Sequence, residues 1–211
     1  MRFFKYKILF LLISILVVSC SSKKQVIYLQ DSTFDSVYSS NFIEYTIRPD
    51  DILKIDVNSD TPEAAMIFSR SGMNLTTNTK ENMIFNGYQV DSEGYINFPI
   101  LGKIKVLGLT VTEIRDYLHE KISKDGYLLD PFIDVKTINL NFTILGEVNR
   151  PGSYEFLKNN LSILEAIGYA GDLTINGKRN DIRVLRKKTN TTEVISLDLT
   201  STDFITKNFQ I

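Results

Sequence analysis

Residues 90–102 read VDSEGYINFPILG and carry the clearest pattern of short strands and turns in the sequence. Two short strands separated by a polar turn predict a β-hairpin, and a third strand follows: 88–90, 95–98 and 103–106. Gly94 can adopt the positive φ that such a turn needs. Pro99 ends the second strand, because proline cannot donate a hydrogen bond to a β-ladder.

A helix is predicted immediately downstream of this hairpin. Thr110 and Glu113 have the spacing of a capping box, in which each side chain satisfies a free backbone N–H of the first turn. The apolar residues that follow recur at helical spacing and share one face: Val111, Ile114, Leu118 and Ile122. The helix should run to about Ser123 and close near Gly126.

Alternating apolar and polar residues predict two further strands in the first domain. The inward positions are Leu53, Ile55 and Val57 in one strand, and Ile133 and Val135 in the other. The turn Arg48–Asp51 precedes the first of them. Residues 61–82 lack a consistent period and predict a long excursion with a short helix near 64–68. We place the end of this domain near Ile138.

A second α+β pattern occupies residues 139–211. Strands over 141–148 and 153–156 flank Pro151-Gly152, a pair that favours a type II turn with Gly152 at positive φ. Ser162 and Glu165 form a second capping box. The predicted helix points Ile163, Leu164 and Ile167 inward, ends near Gly171, and is followed by strands over 182–185 and 194–197. This order resembles a β-grasp.

The N-terminus has the pattern of a bacterial lipoprotein signal. Three cations precede 11 mostly apolar residues, 8–18, which as a helix would reach only about 16 Å of the roughly 30 Å hydrocarbon core. The run Val17–Cys20 resembles a lipobox and makes Cys20 the predicted lipid-attachment site. Ser21, which follows it, favours sorting to the outer membrane. An ordinary secretory signal with an incidental cysteine is the alternative.

These patterns predict an α+β protein with four segments. After the signal peptide and a lipidated tether, a small mixed-sheet domain precedes the β-grasp-like domain: 1–19, 20–41, 42–138 and 139–211.

Composition excludes several classes of function. With 24 basic and 25 acidic side chains the formal charge is −1, so nucleic acid is not an expected partner. One Cys, one His and no Trp leave no basis for a disulfide framework or a Cys/His metal site, and no phosphate-binding glycine loop occurs. We predict no cofactor, no metal and no catalytic residue.

Carboxylates offer the only enzymatic alternative. Asp50, Asp51 and Glu93 could be imagined as acids acting on a glycosidic bond, but adjacent acids on a turn usually point apart. His119 lies off the apolar face of the predicted helix, which indicates an exposed histidine rather than a ligand or base.

Several of these segments together resemble bacterial polysaccharide export lipoproteins of the outer membrane. The resemblance covers about Tyr45 to Asp198 and includes YTIRPDDILKI (45–55), the 90–102 segment, VLGLT (106–110) and GEVNRPGSY (146–154). Asp50 and Asp172 stand where that family has glycine. The residues that match its structural turns are Pro49, Asp51, Gly94, Pro99, Gly102, Gly108, Gly146, Pro151, Gly152 and Gly171.

The resemblance implies an export domain followed by a soluble ligand-binding β-grasp domain, without enzymatic activity. It further implies a homo-oligomeric ring, lipid-anchored in the outer membrane and facing the periplasm, with a polysaccharide substrate and an inner-membrane polymerisation or chain-length partner. Ring contacts could use the turns at 49–51 or 149–152. A monomeric periplasmic lipoprotein that binds glycan without forming a pore is the alternative.

The resemblance also bears on the C-terminus. Proteins of that family generally close the β-grasp with a further strand, and many continue to a C-terminal helix at the outer membrane. We therefore expect either a truncated sequence or a protein that forms the periplasmic part of a conduit.

Overall fold

A computed structural model describes residues 27–33, 37, 44–68, 80–158, 160–187 and 191–206. The chain divides into two compact units. Among the described residues, unit 1 contains 27–33 and 175–206, and unit 2 contains 44–174. The second half of the predicted β-grasp domain therefore groups with the N-terminal segment rather than with the first half.

Unit 2 contains seven strands and four α-helices among its described residues. In chain order they are β1 (Ile52–Asn58), α1 (Pro62–Ala65) with a 3-10 turn (Met66–Phe68), α2 (Lys80–Asn86), β2 (Tyr88–Gln89), β3 (Tyr95–Phe98), β4 (Gly102–Lys105), α3 (Val111–Lys124), β5 (Phe132–Thr137), β6 (Asn141–Ile144), β7 (Gly152–Glu155) and α4 (Ile163–Tyr169). Unit 1 contains β8 (Ile182–Lys187), β9 (Thr192–Leu197) and α5 (Asp203–Thr206).

β1 is the central strand of a three-stranded sheet with the order β2-β1-β5. The predicted alternation is confirmed, because Leu53, Ile55 and Val57 are buried while their neighbours are not. The α+β class is confirmed as well. Both pairings of β1 are antiparallel, so the sheet is not the mixed one predicted.

The sequence predicted that strands 88–90 and 95–98 pair with each other in a hairpin, and this pairing is wrong. β2 pairs with β1, and β3 pairs with β4. Val90 explains the difference, because its carbonyl accepts from the Asp50 N–H at 3.0 Å and its N–H donates to the Asp51 carbonyl at 2.8 Å. These bonds hold the end of β2 against the turn that precedes β1, and β3 is left to pair with the next strand.

α3 matches its prediction closely. Both halves of its capping box form, and the four apolar residues predicted for one face are buried. The helix ends at Lys124 with Gly126 at φ +75°. The buried face completes the main hydrophobic core with the inward residues of β1, β3, β4 and β5.

The predicted type II turn at Pro151-Gly152 is wrong. β6 ends at Ile144, and Gly152 is the first residue of β7, where it pairs with Ile144. Positive φ is found instead at Gly146, at +101°. The connection is long because residues 147–150 bond to the segment after α4: Asn149 N–H donates to Asp172 O at 3.0 Å and Arg150 N–H to Ala170 O at 2.9 Å.

α4 has its predicted capping box but not the full predicted inward face. Ile163 and Ile167 are buried, whereas Leu164 is 38% exposed. Ala166 and Ala170 are buried instead, which completes the i, i+3, i+4, i+7 spacing of a core-facing stripe. Leu164 lies one position off that stripe.

Unit 1 is a β8–β9 hairpin with an N-terminal segment held against the residues after β9. Leu29 N–H donates to Leu199 O at 3.1 Å, and Leu197 and Leu199 are buried. Residues 27–33 are therefore fixed to this unit, whereas the sequence predicted an extended tether throughout 20–41. Within the described part of the chain, no helix combines the length and apolar character needed to cross a bilayer.

Candidate functional site

The turn before β1, which we call the opening turn (residues 45–51), is organised around one buried carboxylate. Asp51 is 9% exposed and accepts hydrogen bonds from the Tyr45 hydroxyl at 2.8 Å and the Arg48 backbone N–H at 2.8 Å. The Arg48 guanidinium lies 5.3 Å from the centre of the Tyr45 ring. Asp51 therefore serves as the internal acceptor that closes the turn, and Pro49 lies within it.

Burial sets the protonation behaviour of this pair. It raises the pKa of Asp51, and the hydrogen bonds from Arg48 and Tyr45 only partly oppose that effect. Burial also raises the pKa of Tyr45 well above its ordinary value, and the neighbouring Asp51 charge adds to the rise. The tyrosine therefore keeps its proton and remains a hydrogen-bond donor to Asp51.

The opening turn is also bonded to the segment that follows β5. The Asn139 side chain accepts from Ile52 N–H and donates to Asp50 O, each at 2.9 Å. Asp50 has a φ of +70°, the left-handed conformation expected where the resembling family has glycine. Tyr45 packs against two hydrophobic clusters, one in the β1–β5 domain and one built on β6, β7 and α4.

A second structural turn, Asp91–Gly94, depends on an aspartate and a glycine. Asp91 Oδ1 accepts from the backbone N–H groups of Glu93 at 3.0 Å and Tyr95 at 2.8 Å. The Tyr95 bond lowers the pKa of Asp91. Gly94 has φ +84°, and a Cβ there would lie 2.2 Å from the Cβ of Leu107. The glycine is therefore required by both backbone conformation and space.

The other predicted turn residues of the first domain lie around β3 and β4. Pro99 follows β3, and Gly102 starts β4 with φ +73°. Gly108 has φ +79°, and its N–H donates to Ile47 O at 2.9 Å. Ile47 lies in the opening turn, so this backbone hydrogen bond joins the turn at Gly108 to the opening turn.

The turn residues of the second domain meet at the C-terminus of α4. Gly171 and Asp172 are consecutive and have φ +74° and +73°, so the aspartate adopts a left-handed conformation where the resembling family has glycine. The Asn149 side chain donates to Gly171 O at 2.7 Å, and Pro151 and Gly152 lead from it into β7.

Cys20, the predicted lipid site, lies outside the described residues.

Two family models match the chain, one on each of the two predicted domains. The model described as polysaccharide biosynthesis/export protein matches residues 40–137, and the SLBB domain model matches 141–196. The chain carries the export domain of polysaccharide export proteins, followed by an SLBB domain. The second match includes residues from both compact units.

Two curated relatives of this export protein share one name. The EPS I polysaccharide export outer membrane protein EpsA of Ralstonia solanacearum is 33% identical over 104 residues, and that of Ralstonia nicotianae (strain ATCC BAA-1114 / GMI1000) is 32% identical over 105. The matches cover 47% and 48% of this chain. The chain spans 27% of the length of each relative.

An open groove lies between α3 and the start of β5 in the export protein. Its volume is about 420 Å³, and its lining is Arg115, Asp116, His119, Asp130, Pro131, Phe132 and Ile133. His119 Nε2 lies 2.9 Å from Asp130 Oδ1, and both side chains are exposed, as predicted for His119. Phe132 is 69% exposed, so the groove combines one accessible aromatic ring with charges of both signs.

The outward face of β1 and β5 is charged but balanced. Lys54 faces Lys136 across the ladder, and Asp56 faces Asp134. These like charges face each other across the sheet, but each lysine forms an ion pair with an aspartate on its own strand: Lys54 with Asp56 and Lys136 with Asp134. This surface is polar and carries no net charge, and β5 has a strand partner on one side only among the described residues.

The predicted carboxylates are not assembled into a shared site. Asp50 is exposed and Asp51 is buried in hydrogen bonds, while Glu93 lies in the separate Asp91–Gly94 turn. No group of three or more possible metal ligands occurs among the described residues.

Sequence reasoning missed the two asparagines that join the turns, Asn139 and Asn149. Asn139 bonds residues 87 and 89 positions away in sequence, and Asn149 bonds residues 22 and 23 positions away. The only sequence signal is their placement at the two ends of the 141–148 segment, next to predicted turns.

Proposed function

We propose that this protein is a subunit of an outer-membrane conduit through which a bacterium exports polysaccharide as capsule or exopolysaccharide. The observation that carries the proposal is the order of the two family matches, an export domain followed by an SLBB domain. The curated relatives are named as outer membrane export proteins, and this chain works in the same membrane. Its role is to line a passage, without forming or breaking a covalent bond.

The chain is anchored by lipid on Cys20 and faces the periplasm. The apolar run 8–18 followed by the only cysteine supports this assignment. Mass spectrometry of the N-terminal peptide from membrane-extracted protein should find an acylated Cys20 as the first residue. A Cys20→Ser variant should lose the acyl mass. An unmodified Cys20 in the mature protein would refute the anchor.

The subunits form a closed ring by head-to-tail contacts. We place one such contact on β5. One edge of this strand has no strand partner among the described residues, and the Phe132 ring on it is exposed. Unpaired strand edges and exposed aromatic rings both favour association. Native mass measurement of the detergent-extracted protein should give many copies. Phe132→Glu should shift the mass towards the monomer. Phe85→Glu, at a side chain that is 82% exposed on α2, is the matched control.

A cellular experiment tests export itself. Deletion of the gene should trap polymer inside the envelope and remove it from the cell surface, and the plasmid-borne wild-type chain should restore it. Co-purification after crosslinking should then recover an inner-membrane polymerisation or chain-length partner. Normal surface polysaccharide in the deletion strain would refute the proposed function.

A monomeric glycan-binding lipoprotein is the second candidate, and the α3–β5 groove favours it. One exposed ring beside Asp, Arg and His side chains is suited to stacking and hydrogen bonding with a sugar. Under this alternative the extracted protein has the mass of one or two chains, and Phe132→Ala weakens glycan binding. Carboxylate-based cleavage is the least supported function, and incubation with the polysaccharide should release no new reducing ends.

A further inference from the structure

The N-terminal segment of unit 1 is fastened to the residues after the β8–β9 hairpin. Gln30 N–H donates to Thr200 O at 2.6 Å, next to the Leu29–Leu199 bond. The Asp31 carboxylate accepts from the Ser201 hydroxyl at 2.8 Å and from Thr202 N–H at 2.7 Å. We call this contact the N-terminal clamp (residues 28–31 with 199–202).

An aromatic contact reinforces the N-terminal clamp. The guanidinium carbon of Arg179 lies 4.9 Å from the centre of the Tyr28 ring, and Arg179 is only 3% exposed. A cation held against an aromatic face in a desolvated position binds more strongly than an exposed pair. The path of residues 28–31 is therefore fixed against unit 1.

The clamp limits how far unit 1 can lie from a lipid on Cys20. Tyr28 is eight positions after Cys20, and a fully extended chain spans at most about 3.6 Å per residue, or roughly 29 Å in all. The lipid anchor belongs to the proposed function, and the present inference rests on it. With that anchor, Tyr28, where the clamp begins, lies within about 29 Å of the membrane surface.

The outward face of the β8–β9 hairpin has an apolar centre. Leu185 is 69% exposed and pairs directly with Val194, which is 63% exposed. Both lie about three residues, or roughly 10 Å, from the Ile182–Leu197 pair that leads into the clamp. The apolar pair is thus close to the point where the lipid tether enters the unit.

Basic residues flank the apolar pair on the same face. Arg183 and Lys187 precede and follow Leu185 at two-residue spacing, and the facing positions on β9 are Thr192 and Ser196. Arg183 Nε lies 3.5 Å from the Oδ1 atom of Asp181, an acid just before β8. The six outward positions of the two strands carry two basic side chains and no acidic one, so this face is cationic around its apolar centre.

We propose that this face, Arg183, Leu185 and Lys187 on β8 with Val194 on β9, docks on the anionic phospholipid surface of the membrane that holds the anchor. Cationic residues around exposed apolar side chains are the combination that binds at a charged lipid interface. The short tether holds the face within reach of that interface. The acyl anchor then supplies attachment and the hairpin face supplies orientation.

A fluorescence experiment tests the docking face directly. The chain contains no Trp, so Leu185→Trp introduces a single reporter. The lipidated full-length mature protein is reconstituted on vesicles of phosphatidylethanolamine and phosphatidylglycerol with brominated acyl chains. We expect a blue-shifted emission and loss of fluorescence by bromine quenching. Ile195→Trp, on the opposite, partly buried face of the same hairpin, is the control and should remain unquenched.

A charge reversal tests the cationic part of the face. Arg183→Glu combined with Lys187→Glu in the Leu185→Trp background should remove the quenching while flotation with the vesicles persists through the acyl chains. Vesicles of neutral phosphatidylcholine should likewise reduce the quenching.

The outcomes separate this inference from the anchor on which it rests. Protein that fails to float with vesicles refutes the lipid anchor and the docking face with it. Protein that floats with an unquenched Trp at position 185, or with equal quenching at position 195, refutes the docking face alone. A blue shift without bromine quenching assigns the face to a protein partner and also overturns the proposal.

Discussion

Replacing Gly94 by alanine should destabilise unit 2 through two separable effects. The residue has φ +84°, a conformation that costs an L-residue about 1–2 kcal/mol. The new Cβ would also lie 2.2 Å from Leu107 Cβ, a distance that forces backbone movement and adds about 1–3 kcal/mol. The free energy of unfolding should therefore fall by about 2–5 kcal/mol.

Gly102→Ala isolates the conformational effect. Gly102 has a similar φ of +73°, and no atom lies within 4 Å of its would-be Cβ, so only about 1–2 kcal/mol should be lost. Urea unfolding of the two variants and the wild type measures both values. Adding Leu107→Gly to Gly94→Ala should recover part of the larger loss. Equal destabilisation by the two alanines would refute the close approach of Leu107.

Three further predictions concern buried or capping carboxylates and their partners. Asp51→Ala should lower the free energy of unfolding by about 2–3 kcal/mol, because it removes the charged acceptor of two hydrogen bonds. Tyr45 has a pKa above its ordinary 10.0, so stability should fall as the pH rises above 10.0, and Tyr45→Phe should flatten that part of the stability curve. The Ser162 N–H, then the Lys158 ammonium, lower the pKa of Glu165 from 4.5 to about 2, so its contribution should be lost as the pH falls from 4.5 towards 2 and be absent in Glu165→Gln.

Matched variants check each of these expectations. Asp50→Asn alters the neighbouring exposed acid and should change the unfolding free energy by less than about 0.5 kcal/mol. Tyr95→Phe removes a different tyrosine and should leave the alkaline slope in place. Glu93→Gln removes a different glutamate and should leave the acid slope in place. If either control matches the effect of its test variant, the assignment of that slope to Tyr45 or Glu165 is wrong.

Local signals in the sequence were sufficient for most elements of the fold. The two capping boxes located α3 and α4, because they are satisfied within four residues of chain and need no tertiary partner. The alternation in β1 identified its buried side, because successive side chains of a strand point to opposite faces. The left-handed conformation of Asp50 agrees with the glycine of the resembling family at that position, whereas the same conformation at Asp172 was not predicted.

Pairing and connection geometry could not be predicted from local signals. A polar turn at 91–94 does form, yet the strands on either side of it pair elsewhere, because Val90 bonds to the opening turn. Likewise Pro151-Gly152 has type II turn chemistry, but the segment before it is held by Ala170 and Asp172. In both cases the competing partner lies 20 to 40 residues away in sequence.

The domain boundary predicted near residue 138 coincides with a change of sequence pattern, but contacts cross it. Asn139 fastens the opening turn to the start of β1, and Tyr45 contacts the cores on both sides of the boundary. A chain cut after Ile138 would leave Ile52 N–H and Asp50 O without this partner and expose part of Tyr45. The family's export domain is therefore a sequence unit whose opening turn folds against residues of the next domain, and variants at Tyr45 should disturb both cores together.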